Sequence, residues 1–374
     1  MSDYDVIVVG LGAMGSAALY ELSRRGRRVL GLEAFEPGHR LGSSHGESRV
    51  IRLAYFEHPN YVPLLQRAYE LWAELEQRSG AELLHITGGL MIGVPETELV
   101  SGARASADEH RLEYELLDAA ELRRRYPAFT PAEDEMALWE PHAGFLRPER
   151  CIEVFIRLAR ESGAETRYTE PVRAWHATAQ GVEITTDEGT YAADQAVFTC
   201  GARMAHVLGE DIAPVRAERV PLFWMDAAHP EMFAVGRLPI YMWETRDDVL
   251  FYGFPHVDWP GVKVANHHSG NFVDPDRVDR TVNAEDERRL RSAIADRIPA
   301  LNGPVLSSLI CLYENSPDGH FLIDRVPDHP NVIFGGGFSG HGFKFASVVG
   351  EILADLVTRG HATPHADFLK LRSM

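Results

Sequence analysis

The stretch Asp5-Val6-Ile7-Val8-Val9-Gly10-Leu11-Gly12-Ala13-Met14-Gly15 decides the fold. Val6 to Val9 is a continuous β-branched run, the pattern of a strand buried on both faces of a parallel sheet. Beyond the glycines, Ser16 to Arg25 predicts a helix with small residues at Ala17 and Ala18, and Gly26 ends it. Arg28-Val29-Leu30-Gly31-Leu32-Glu33 then predicts a second strand closing on an acid. Strand, glycine loop, helix and strand in this order form a βαβ unit that holds a dinucleotide. Gly10 permits the tight turn, Gly12, Ala13 and Met14 bring backbone up to the pyrophosphate, and Gly15 lets helix and strand pack closely. The helix N-terminus faces the phosphates, and Glu33 is placed to accept hydrogen bonds from a ribose hydroxyl. NAD and FAD are both open at this point.

Further along, Tyr61 to Arg78 and Glu149 to Gly163 carry apolar residues at helical spacing. Gly88 to Val94 and Val182 to Thr186 predict strands, and Ala192 to Gly201 predicts another that ends in a glycine where a cofactor could approach. From Leu222 to Leu312 the texture changes to short mixed strands with one polar helix, Glu285 to Arg297. Asn331 to Phe334 is again strand-like; Gly335-Gly336-Gly337 predicts a loop, and Phe345 to Thr358 an amphipathic helix. The second strand–glycine–helix unit offers another positive helix end. The expected fold is therefore α/β (α+β overall), with a discontinuous Rossmann-like cofactor domain over 1–86, 146–220 and 318–374. A mixed β-sheet substrate domain is inserted over 87–145 and 221–317.

Composition limits the partners. At 374 residues the chain exceeds what one core usually serves, which fits two joined domains. The formal charge of −18 argues against nucleic acid, because phosphate neutralisation needs clustered cations. No apolar run reaches the roughly 20 residues of a membrane helix, and the N-terminus opens into a strand rather than a secretion signal. A cytoplasmic monomer is expected. Cys151, Cys200 and Cys311 have no metal-ligand spacing, and no metal site is read. Only three of the 37 basic residues are lysines, Lys263, Lys344 and Lys370. A lysine retained among so many arginines marks a place for a compact ammonium or one whose pKa can shift.

Four segments outside the fingerprint concentrate unusual polar groups: Ser43 to Arg52, Tyr252 to His267, Cys311 to Asp318, and Phe338 to Phe345. With the fingerprint they resemble the monomeric sarcosine oxidase and N-methyltryptophan oxidase family of D-amino-acid-oxidase-like flavoproteins. The shared elements are HG-x-[ST]-R-x-I-R at His45 to Arg52, C-x-Y-x-x-[ST]-P-D at Cys311 to Asp318, and SGHGFKF at Ser339 to Phe345. They run in order along essentially the whole chain.

The resemblance implies FAD joined covalently to Cys311, with Ser43, Ser44, Val172, Cys200, Gly201, Gly337 and Gly340 along it. Arg49 and His45 are implied beside the isoalloxazine, while Arg52 and Lys344 hold a substrate carboxylate and Lys344 also adds charge near the flavin. Lys263 matches the family lysine that activates oxygen. Tyr313, Tyr252, His267 and Met242 match residues that line the substrate pocket, joined there by Glu314 and Gly340. Glu314-Asn315 looks more like the N-methyltryptophan oxidase version of the motif than the Thr-rich sarcosine version. The implied reaction is oxidation of the C–N bond of a small N-methyl amino acid with O2 reduced to hydrogen peroxide. Related flavin oxidases of N-methyltryptophan, pipecolate or fructosyl amino acids are the alternatives. A nucleotide-binding module without turnover ranks last, because the basic pocket is present.

Overall fold

The N-terminal apolar run lies in strand Tyr4–Val9, whose last four residues are buried. It pairs in parallel with Val29–Leu32 on one side and Thr190–Phe198 on the other, so both of its faces need apolar side chains. In the computed structural model, which describes residues 3–372, the parallel core extends to Glu165–Arg167 and to His329–Gly336. Antiparallel strands complete this eight-stranded sheet: Leu322–Val326 along His329–Gly336, and the hairpin Ala174–Thr178 and Gly181–Thr185 along the start of Thr190–Phe198.

The glycine turn works by close approach. Gly10 has φ 88°, and a Cβ added at Gly15 would sit 1.8 Å from the Gly10 carbonyl oxygen. The helix starts at Ala13, three residues earlier than expected, because the end of the glycine loop is its first turn. It runs to Arg24 and packs on Pro148–Glu161 and on the C-terminal helix Ala346–Arg359.

The second eight-stranded sheet has the order Val305–Asn315, Arg216–Met225, Val262–Asn266, Leu250–Gly253, Ile240–Glu244, Gly89–Gly93, Met136–Glu140, Glu115–Asp118. Every pair is antiparallel except Ile240–Glu244 with Gly89–Gly93, so the sheet is mixed. A small three-stranded sheet, Arg49–Ile51, Gly144–Leu146 and Leu84–Ile86, is built from segments next to those that change sheets.

Two expectations need correction. Gly335 and Gly336 are not loop: they continue strand His329–Gly336 by pairing with Ile323 and Leu322. Lys344 stands in a 3-10 turn, Phe343–Phe345, and the α-helix begins only at Ala346. Helix Val62–Ser79 buries Leu64, Leu65, Leu71 and Trp72 on one face and stops at Gly80. The Trp72 indole donates to the Lys344 carbonyl at 2.9 Å, which fixes that turn from behind.

Candidate active site

A cavity of about 980 Å³ opens at the C-terminal ends of the parallel strands. Gly10, Gly12, Ala13 and Met14 line one end, while Arg49, Tyr313, Glu314 and Gly340 line the other. Glu33, Ser43, Ser44, Val172, Cys200 and Gly201 lie along it. The lining suits a dinucleotide on several counts. Helix Ala13–Arg24 has Gly12 at its N-cap and no capping side chain, so its first N–H groups are open to phosphate apart from Ala13 N, which donates to Ser44 Oγ at 3.2 Å. Glu33 is held in place by the Leu11 N–H at 2.8 Å. Ser43 Oγ and Glu314 Oε2 are buried polar atoms with no partner among the described residues, a costly state that a polar ligand relieves. Burial raises the Glu314 carboxyl pKa to about 8, so at neutral pH it is mostly protonated and able to donate.

At the far end, Arg49 Nη2 donates to the Ser43 carbonyl at 2.7 Å and lies 3.5 Å from Cys311 Sγ. Cys311 is buried in the second sheet, opposite Val220 on the neighbouring strand. Close by, Gly46-Glu47-Ser48 makes a γ-turn: Ser48 N donates to Gly46 O at 2.8 Å, and Glu47 has φ 71°. This hand of turn is rare and strained for a residue with a side chain. Lys263 Nζ donates to Gly46 O at 2.5 Å, to Ser48 O at 2.7 Å and to Ser48 Oγ at 3.3 Å. Burial and then the charge of Arg49 push the Lys263 pKa well down.

A second cavity of about 50 Å³ adjoins this end. Arg49, Arg52, Lys344, Tyr313, Tyr252, His267, Met242 and Gly340 all line it. Arg52 is 1% exposed; one of its Nη groups donates to both oxygens of Glu57, at 2.7 and 2.9 Å, and Nε has no partner among the described residues. Lys344 Nζ donates to the His341 carbonyl at 2.7 Å. Burial, then the neighbouring Arg52, lower its pKa to about 7. Tyr313 Oη and His267 Nδ1 are 3.4 Å apart, and burial keeps His267 neutral by pushing its pKa well down.

Several residues lie elsewhere than expected. Glu314 lines only the large cavity, whereas Tyr313, its neighbour on the strand, borders both. Gly337 lines neither cavity, being packed on Ser316 and Leu322; Gly335, two residues earlier on the strand, lines the large one instead. Lys344 borders only the small cavity. His45 borders neither: its Nε2 meets the Gly42 carbonyl at 3.1 Å, and burial with Arg49 and Lys263 nearby lowers its pKa to about 3. Gly15 lies behind the glycine loop, where it serves packing. Sequence reasoning missed Glu57 as the partner of Arg52, and His341 as a lining residue whose Nδ1 meets Tyr55 Oη at 2.5 Å. An acid five residues after a motif arginine was the available signal for the first.

Strand ends opening on a glycine turn, with buried cations at the far end of the groove, are what a flavin-dependent oxidoreductase requires. The FAD dependent oxidoreductase family matches residues 5–356. A monomeric sarcosine oxidase of Streptomyces avermitilis is 46% identical over 96% of this chain and 94% of its own length. An N-methyl-L-tryptophan oxidase of Yersinia pestis is 34% identical over 94% of each chain. Among solved structures, the amino acid oxidase NikD, essential for nikkomycin biosynthesis, superimposes with a TM-score of 0.88 at 26% identity, over 100% of this chain and 98% of that one. The chain belongs to the FAD dependent oxidoreductases and, within them, to the monomeric sarcosine oxidase and N-methyltryptophan oxidase family, and so is an FAD-dependent amine oxidase.

Proposed function

We propose that the protein oxidises the C–N bond of a small secondary amino acid of the N-methyl type, with Arg52 and Lys344 holding its carboxylate in the small cavity. The observation that carries this reading is the convergence of two buried cations, each with an N–H left for a guest, on a space walled by Tyr313, Tyr252, His267 and Met242. Arg52, whose Nη groups are engaged by Glu57 and the Ala54 carbonyl, offers its Nε–H, and Lys344 a point charge, a pair suited to one carboxylate. The same charges, with Arg49, favour loss of the substrate's ammonium proton, which frees the amine lone pair. The volume of about 50 Å³ favours a substrate with little or no side chain over one the size of N-methyltryptophan.

Held along the glycine turn, Glu33, Ser43, Ser44 and Glu314, FAD would supply the two-electron acceptor for the C–N bond and the route of those electrons to O2, giving hydrogen peroxide; the imine product would hydrolyse in water to an aldehyde and an amine. Cys311 is placed in this proposal as the point of covalent attachment, supported by its contacts with Arg49 and Ser43, which line the large cavity; Cys311 itself is buried just behind them and borders neither cavity. Lys263 serves the oxygen half of the reaction. The reading includes a flavin domain over 1–86, 146–220 and 318–374 and a substrate domain over 87–145 and 221–317, supported by the membership of the two large sheets except at 216–220, which belong to strand Arg216–Met225 of the second sheet. It also includes a monomer in the cytoplasm; no helix among the described residues is long and apolar enough to cross a membrane.

A peroxide assay across sarcosine, N-methyltryptophan, pipecolate and fructosyl amino acids tests the substrate. The highest kcat/KM is expected for sarcosine, and a preference for N-methyltryptophan would overturn the size argument. Acid precipitation tests the linkage: yellow colour should stay in the pellet of the parent protein and move to the supernatant for Cys311→Ser.

A further inference from the structure

We propose that Glu47 is the positioning residue for Lys263, its side chain clamping the strained Gly46–Ser48 turn whose carbonyls seat the lysine; this rests on the oxygen role given to Lys263 above. All three donors of the ammonium are directed at that turn, to Gly46 O, Ser48 O and Ser48 Oγ, and no carboxylate among the described residues touches it. The seat of the lysine is therefore set by the path of the main chain through residue 47. That path is unfavourable for a residue with a Cβ, so something outside the turn must hold it.

The Glu47 carboxylate is the clamp. Oε1 accepts from Asp258 N at 2.8 Å and Trp259 N at 2.6 Å, and Oε2 accepts from Trp224 Nε1 at 2.9 Å. From the other side, Glu149 accepts from Gly46 N at 2.6 Å and from Glu47 N at 3.2 Å. Trp224 is also the cross-strand partner of Lys263, so one indole registers both the turn and the strand that carries the lysine. Glu47 never contacts the ammonium, yet it connects the turn to that strand, and its buried negative charge offsets the buried cation.

The test separates the two half-reactions in FAD-loaded enzyme. In Glu47→Gln an amide N–H faces the Trp224 indole and the turn relaxes; reoxidation by O2 should slow about ten- to hundredfold, as a displacement near 1 Å does, while anaerobic reduction by sarcosine stays within about twofold. Trp224→Phe, which leaves residue 47 intact, should act in the same direction and guards against a folding defect. Hydrogen exchange at the amides of 46–48 and 258–259 should rise in both. In a Lys263→Met background, Glu47→Gln should add no further slowing. Parent-rate reoxidation in Glu47→Gln, or equal slowing with and without Lys263, would overturn the proposal. If Lys263→Met alone reoxidises at the parent rate, the oxygen role of Lys263 fails, and the exchange data alone decide whether Glu47 holds the turn.

Discussion

The two cavities are made of different materials. The dinucleotide end of the large one is shaped by backbone: a left-handed glycine, a helix N-terminus, and a contact in which one hydrogen at Gly15 is all that fits. The small one is shaped by ionisable side chains from four distant segments, each taken out of water. Backbone sites are rigid and indifferent to pH, whereas a cluster of buried charges shifts with every proton and every lost partner. Binding of the cofactor and chemistry on the substrate should therefore fail in different ways.

Breaking the ion pair of the small cavity has the largest expected effect. Arg52→Leu removes the ion-pair partner of buried Glu57, at a cost of about 3–5 kcal/mol, and abolishes oxidation. The double variant Arg52→Leu/Glu57→Leu should recover most of the thermal stability but none of the turnover; if it melts as low as the single variant, the pair is not what stabilises that loop. Next comes the backbone site. Gly15→Ala places a methyl group inside the Gly10 carbonyl contact and should cost roughly 1–3 kcal/mol, with FAD content at purification falling in step. Full FAD occupancy at unchanged melting temperature would show that the turn yields.

The finest contrast lies in pH. The folded pKa of Lys344, about 7, is below the ordinary 10.5. Between these values the unfolded chain holds a proton that the folded chain has lost, so this group makes the fold more stable as pH rises from 7 to 10.5. Carboxylate binding runs the opposite way, because the neutral amine no longer attracts an anion. The Kd of a non-reacting carboxylate such as acetate should rise through pH 7 while the melting temperature gains. Lys344→Met should flatten both trends, and a Kd that does not respond to pH would place the anion elsewhere.

The same division explains what could be read from sequence. The glycine turn is contiguous, each residue answers a local steric demand, and its strand–helix–strand setting followed from periodicity. The small cavity is not contiguous; His267, Met242 and Tyr252 entered through family resemblance, since nothing in their own spacing points to a shared space. Glu57 was missed because its pairing depends on how the loop after Arg52 folds back. Glycine is a breaker in isolation, which predicts loop at Gly335 and Gly336, while in the sheet a partner strand supplies the order. Nothing marks Glu47 as left-handed, because glutamate has no preference for that conformation and only its distant partners impose it.

Main-chain oxygens are common to all twenty residue types. An ammonium that depends on Gly46 O and Ser48 O is therefore shielded from most replacements around it, and only changes that bend the chain can unseat it. Mutational scanning near Lys263 should find tolerance at Ser48 where direct contact would suggest fragility, with sensitivity at Gly46, whose φ is 99°, and at the braces farther out.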